Sequence, residues 1–169
     1  MNIENVKLIQ IVWDGPFTMD EISEFNGSTD FGLYMAYGNH RVYGENVLLY
    51  VGKAEQQTFS VRILQHLKED WYGTETIYLG RLGSSENISI SDWDEQIDYC
   101  ETKFIQYCLP AWNASKLNSR KEYSFEEAAI INNGVRLGSI QRVLADWMFL
   151  KSSHHSRTWK AYSNKTAIK

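Results

Sequence analysis

Two tyrosines, Tyr34 and Tyr50, an arginine and histidine four residues apart, Arg62 and His66, and one glutamate, Glu101, are the side chains whose types and order suit chemistry on a phosphate ester. Hydrolysis of such an ester needs a base near the attacking water, positive charge on the phosphoryl oxygens as the transition state forms, and help for the leaving oxygen. Phenols on rigid strands and an imidazole can take or relay a proton. A guanidinium offers fixed charge and forked donors to a phosphate. One carboxylate can hold Mg²⁺, which commonly takes one or two carboxylates and keeps several waters. Each residue also has a plainer reading: the tyrosines as sheet aromatics, Arg62 as a surface charge, His66 as a satisfied helix histidine, Glu101 as half of a salt bridge to an arginine.

Local patterns say which elements carry these groups. Gly32 to Tyr37 and Val47 to Val51 are apolar, aromatic runs separated by polar and glycine-rich residues, which predicts an antiparallel hairpin with a long polar tip. Side chains alternate along strands, so Tyr34 and Tyr50 can share a face if the register allows. Thr58 is a candidate cap for a helix to about Asp70, on which Arg62 and His66 fall about 40° apart. Thr76 to Leu82 reads as a further strand. Ser91 or Asp92 is expected to cap a helix from about Asp94 to Leu109 that stops before Pro110. At roughly 100° per residue, Glu101 lies inside the apolar arc of that helix, between Phe104 and Ile105. A carboxylate there needs a cation or a basic partner. Lys7 to Trp13 reads as a strand ended by the turn Asp14-Gly15-Pro16, followed by a short helix from about Met19 to Phe25. Ser124 to Lys151 reads as helix in two pieces around Asn132-Asn133-Gly134.

In chain order, Gly32-Leu33-Tyr34, Tyr50-Val51-Gly52, Arg62 with His66, Glu101, and Pro110 with Asn113 resemble the GIY-YIG nuclease family over residues 31 to 116. The resemblance implies an α+β fold: a small antiparallel sheet flanked by helices, with an N-terminal strand-helix addition and a C-terminal helical one. The implied units are residues 1–30, a nuclease core at 31–118, and 119–169 with a basic tail. It further implies catalytic roles for Tyr34, Tyr50, Arg62, His66 and Glu101, and Glu101 as the ligand of one Mg²⁺ that Mn²⁺ can replace. Tyr34 would activate water either as a phenolate or as a relay through His66 or Tyr50. Gly32, Gly52 and Asn113 are then structural residues at the site, with Asn113 holding the loop after Pro110. Lys53 is placed to contact phosphate or to lower a tyrosine pKa. The implied activity is metal-dependent DNA cleavage leaving 5′-phosphates, in restriction, mobile-element cutting or defence. The alternative is a non-catalytic or partner-activated binding module of the same fold.

The net charge of −4 argues against a protein that coats nucleic acid non-specifically. Its distribution is uneven: 8 Lys+Arg against 17 Asp+Glu up to residue 119, and 9 against 4 afterwards, or −9 and +5. Arg157 and Lys160, beside Trp159, are therefore candidate DNA contacts in a basic C-terminal third, for which a solvated tail is the plainer reading. A DNA substrate and a homodimer or partner protein are the expected partners. No run of about 18 apolar residues occurs, so no membrane span is expected and a cytoplasmic location is. Cys100 and Cys108, eight apart on one predicted helix, are expected to be reduced thiols.

Overall fold

Alternating apolar residues over Lys7–Phe17 make strand β1, which buries Ile9, Ile11 and Trp13 on one side. The computed structural model describes residues 6–67, 71, 73–83, 88–125, 128–135, 138 and 140–145. After β1 and a single 3-10 turn at Glu21–Glu24 come β2 (Gly32–His40), β3 (Gly44–Ala54), α1 (Phe59–Leu67) and β4 (Thr74–Gly83). They are followed by α2 (Ile90–Cys108), β5 (Ala128–Gly134) and β6 (Val143–Ala145). Among the described residues the architecture is α+β: one six-stranded sheet in the order β3-β2-β4-β1-β5-β6, with two helices.

The sheet is mixed rather than antiparallel throughout. β1 pairs in parallel with β5, from Lys7 opposite Ala128 to Trp13 opposite Gly134, while the other neighbours are antiparallel. β1 is thus an internal strand, flanked by β4 and β5, not a segment laid upon a finished core. Trp13 Nε1 donates to Asn132 Oδ1 at 2.9 Å, and its buried ring meets Phe104 edge-on at 5.8 Å, which ties the parallel pair to α2.

The helical reading of Ser124 to Lys151 fails over its described residues, where Ala128–Gly134 and Val143–Ala145 are strands. Ala128, Ala129 and Ile130 are all buried, and a short apolar run has no period that separates buried strand from buried helix. Neighbouring strands decide it, against alanine's own helix propensity. Residues 146–151 lie outside the described ones.

Other expected boundaries shift for identifiable reasons. Pro16 does not end β1, because it sits in a bulge between Asp14 and Phe17 where the ladder asks for no N–H. The expected helix from Met19 is only the 3-10 turn, with Thr18 N and Oγ1 both donating to Glu21 Oε2 at 2.7 and 2.8 Å. The cap of α2 is Ser89, whose side chain accepts from Asp92 N, so the helix starts a turn early. It ends at Leu109 in the left-handed region, immediately before Pro110. The hairpin tip is short: β2 runs to His40 and β3 begins at Gly44, with the His40 ring stacked on Tyr43 at 4.6 Å.

Adjacent residues of β2 point to opposite faces and into separate cores. Tyr34 and Ala36 pack with Ile22, Phe59, Ile63, Ile77 and Leu79 under α1. Leu33 and Met35 pack with Ile11, Val51, Ile97, Cys100 and Phe104 under α2. Each fully buried side chain of this size contributes about 1.5–3 kcal/mol, so both helices are firmly seated. Cys100 and Cys108 are free thiols, and burial raises both, Cys108 to about 11. β3 is an edge strand, and the chain after α2 runs alongside it: Ala111 N donates to Leu48 O and Trp112 N to Leu49 O.

Candidate active site

Tyr34 pairs with Gly52 and Ala36 with Tyr50, a register that puts both tyrosines on the α1 face of adjacent strands. Their rings are stacked, with centroids 6.0 Å apart and planes 23° from parallel. Gly52 permits this. A Cβ there would lie 2.4 Å from the Tyr34 hydroxyl oxygen and 2.7 Å from Tyr50 Cε1, so the missing side chain is the space the phenol crosses. Gly32 is required on other grounds: its φ of +142° is open to glycine, and a Cβ would sit 2.2 Å from Gly80 O.

α1 presents Arg62 and His66 one turn apart, as their spacing requires. His66 is buried, and its Nε2 lies 2.9 Å from the Tyr34 hydroxyl. Trp71 stacks on the imidazole, with ring centroids 4.6 Å apart and planes 8° from parallel, and its ring is also 5.1 Å from Tyr50 and 6.2 Å from Trp112. Arg62 is half-buried. Its Nη1 donates to Gln65 Oε1 at 3.3 Å, and its side chain reaches the Tyr34 phenol.

Burial raises the Tyr34 pKa far above its ordinary value of 10.0; Tyr50 and Glu101 push the same way, and Arg62 opposes them. Tyr34 therefore stays a phenol at neutral pH. Its hydroxyl shares a hydrogen bond with His66 Nε2 at 2.9 Å.

Glu101 approaches from α2, on the other face of the sheet, close enough for its charge to be felt at Tyr34 across edge strand β3. It is buried, and as expected of a carboxylate in an apolar arc it has a basic partner. That partner is a lysine, not an arginine: Lys116 Nζ lies 2.6 Å from Glu101 Oε2. The same ammonium is 2.8 Å from Asp98 Oδ1, which also accepts from Lys53 at 2.9 Å, while Asp98 Oδ2 accepts from Lys121 at 2.8 Å. Lys53 is further paired with Glu55 at 2.6 Å, so the expected phosphate contact is in this structure engaged by two carboxylates. Burial pulls both Lys53 and Lys116 down, but hydrogen bonds to Glu55 and Asp98 for the first, and to Asp98 and Glu101 for the second, leave them above the usual lysine value.

Among the described residues no group of three or more His, Cys, Asp or Glu side chains could hold a metal ion. A single-carboxylate Mg²⁺ site is nevertheless compatible with Glu101. One hydrogen bond to Oε2 leaves lone pairs on the carboxylate, and Mg²⁺ fills the rest of its shell with water and substrate oxygens.

The Asp98 carboxyl is buried, which opposes ionisation, but hydrogen bonds from Lys116, Lys121 and Lys53 outweigh this and hold its pKa far below the ordinary 3.8. A depressed carboxylate stabilises the fold above its unfolded value and loses that contribution as pH falls towards the folded one. Thermal melts between about pH 6 and about pH 3 should therefore fall more steeply for wild type than for Asp98→Asn below about pH 4. Parallel curves would show that the lysine cluster adds nothing to stability.

Asn113 clamps the second tripeptide. Its Oδ1 accepts from Val51 N and its Nδ2 donates to Val51 O, both at 2.9 Å. It thus holds the edge of β3 through side-chain bonds while its neighbours do so through backbone.

The structure gathers Tyr34, Tyr50, Arg62, His66, Gly52, Asn113 and Glu101 around β3. Arg157 and Lys160 lie outside the described residues, as do Trp147, Trp159 and the His154-His155 pair. Sequence reasoning missed Asp98, whose spacing three before Glu101 puts the two about 60° apart on α2 and was open to the same helical count. It also missed Trp71, Lys116 and Lys121, for which no local signal exists. No family model, no curated protein and no solved structure matches this chain.

Proposed function

We propose that this chain is a metal-dependent DNA endonuclease of the GIY-YIG type, hydrolysing phosphodiester bonds by a single-metal mechanism to leave 5′-phosphate ends. The observation that carries the reading is the meeting of Tyr34, Tyr50, Arg62 and His66 at one strand edge, with Glu101 brought to that edge from the opposite face. A structural salt bridge explains Glu101 alone, but not a phenol, an imidazole and a guanidinium assembled beside it.

A Mg²⁺ ion held by Glu101, or Mn²⁺ in its place, would supply Lewis-acid stabilisation of the leaving 3′ oxygen. The protein's own residues do the rest. Arg62 places its forked charge on the phosphoryl oxygens. The half-buried Tyr50 meets and orients the attacking water. Tyr34 takes part as a neutral relay: its oxygen accepts a proton while its own passes to His66 Nε2, 2.9 Å away. Trp71 fixes the plane of that imidazole.

The acidic first two thirds of the sequence leaves affinity to local basic surface, a second copy or the basic C-terminal third. A homodimer suits cutting of both strands at a palindromic site, and restriction, mobile-element cutting or defence against foreign DNA suits such an activity. No helix among the described residues is long and apolar enough to cross a membrane.

The test is supercoiled plasmid with wild type and Glu101→Gln, in Mg²⁺ and in EDTA. Wild type is expected to nick in Mg²⁺ alone, and the variant to lose at least about a hundredfold in rate. Tight DNA binding by wild type with no cutting in Mg²⁺ or Mn²⁺ would replace this reading with a binding module.

A further inference from the structure

Lys116 stands where a cation would stand. Its ammonium bridges Glu101 Oε2 at 2.6 Å and Asp98 Oδ1 at 2.8 Å, so the carboxylate assigned to the metal already carries a positive charge from the chain itself. The loop holds it there. Lys116 has φ +65°, which costs a non-glycine residue backbone strain, and its carbonyl accepts from Ser119 N at 3.1 Å and from Gln106 Nε2 at 3.3 Å. Gln106 also donates to Ser119 O at 2.9 Å, fastening the turn to α2.

The two carboxylates depend on this ammonium unequally. Asp98 retains Lys53 and Lys121 if Lys116 leaves. Of those three lysines, Lys116 is the one that also holds Glu101. Its side chain is 27% exposed against 10% for Glu101, so the ammonium can swing into solvent about its own rotatable bonds while the turn stays fixed. Its departure leaves Asp98 neutralised and Glu101 buried with a bare charge, a site that favours a divalent cation.

We propose that Lys116 is a tethered competitor for the divalent cation at Glu101, closing the site until metal displaces its ammonium. This rests on the reading of Glu101 as the metal ligand. The consequence is a metal affinity set by the chain's own lysine: removing the charge while keeping the length of the side chain should tighten binding. A purely structural Lys116 predicts the opposite, since loss of an ion pair loosens the carboxylate.

The experiment is Mn²⁺ binding, read from the spin-resonance signal of the free ion, to wild type, Lys116→Met, Lys116→Arg, and Glu101→Gln in the wild-type and Lys116→Met backgrounds. Circular dichroism checks that each is folded. Lys116→Met is expected to bind at least about tenfold more tightly than wild type, because an attractive charge has been withdrawn from the carboxylate. Lys116→Arg should stay near wild type, and Glu101→Gln should abolish the site in both backgrounds. Equal or weaker binding by a folded Lys116→Met, with binding still dependent on Glu101, would overturn the competitor role and leave the nuclease reading standing. Absence of Glu101-dependent binding in every variant would overturn both. Should Lys116→Met not fold, Lys116→Gln takes its place with the same two outcomes.

Discussion

Arg62→Ala is expected to lower the rate of plasmid nicking about a thousandfold, the range seen when a preorganised donor to a developing phosphoryl charge is removed. Arg62 sits on α1 one turn before His66, with its side chain at the Tyr34 phenol and a 3.3 Å bond to Gln65 as its hold on the helix. That hold is weak, so the substitution should change stability by no more than about 0.5 kcal/mol. Activity and stability are thereby separated. Arg62→Lys should recover little, because an ammonium offers a point charge where a guanidinium offers two parallel donors. Single-turnover cleavage beside thermal melts is the measurement. A rate within tenfold of wild type for Arg62→Ala would place the phosphate elsewhere and undo the proposed arrangement.

Gly52→Ala is expected to be as damaging by a different route. The added methyl would lie 2.4 Å from the Tyr34 hydroxyl oxygen, 2.5 Å from its Cζ and 2.7 Å from Tyr50 Cε1. Tyr34 cannot retreat, since it is fully buried among Ala36, Ala54, Phe59 and Ile63 and bonded to His66. Overpacking of this kind costs about 1–3 kcal/mol, which lowers the melting temperature of a chain this long by roughly 2–12 °C. The ring must shift as well, so the Tyr34–His66 bond is lost and cleavage falls even where the protein is folded. Tyr34→Phe in the same background should restore little stability, because the clash with Cζ remains. A melting curve and rate unchanged by Gly52→Ala would mean that the tyrosine does not cross β3 where the structure puts it.

The elements that carry the site were legible because each is written in a short period. Apolar, aromatic runs at Gly32 to Tyr37 and Val47 to Val51 indicated β2 and β3, and the alternation of side chains along a strand allowed Tyr34 and Tyr50 a common face, though the bulges between Ala36 and Tyr37 and between Gly38 and His40 were not readable. A four-residue spacing put Arg62 with His66. The position of Glu101 in the apolar arc of α2 foretold a buried carboxylate in need of a cation or a basic partner. These are statements about residues two to four apart, for which backbone geometry alone fixes the relation of side chains.

Partners far apart in the chain were beyond that reach. Nothing local says that β1 lies parallel to β5 more than a hundred residues later, and the run Ala128 to Ile131 was read as helix because its strand partners are what make it a strand. The lysine that meets Glu101 comes from a loop fastened to α2 through Gln106. The tryptophan on His66 comes from the approach to β4. Both arrive through packing of surfaces that no periodicity describes. The sequence by itself determined which groups the protein could use and which faces would carry them. Tertiary structure decided that the Tyr34 phenol is buried against His66 and that Glu101 is held by Lys116. Protonation and ion pairing depend on burial and on every neighbouring charge at once, and those are properties of the folded molecule.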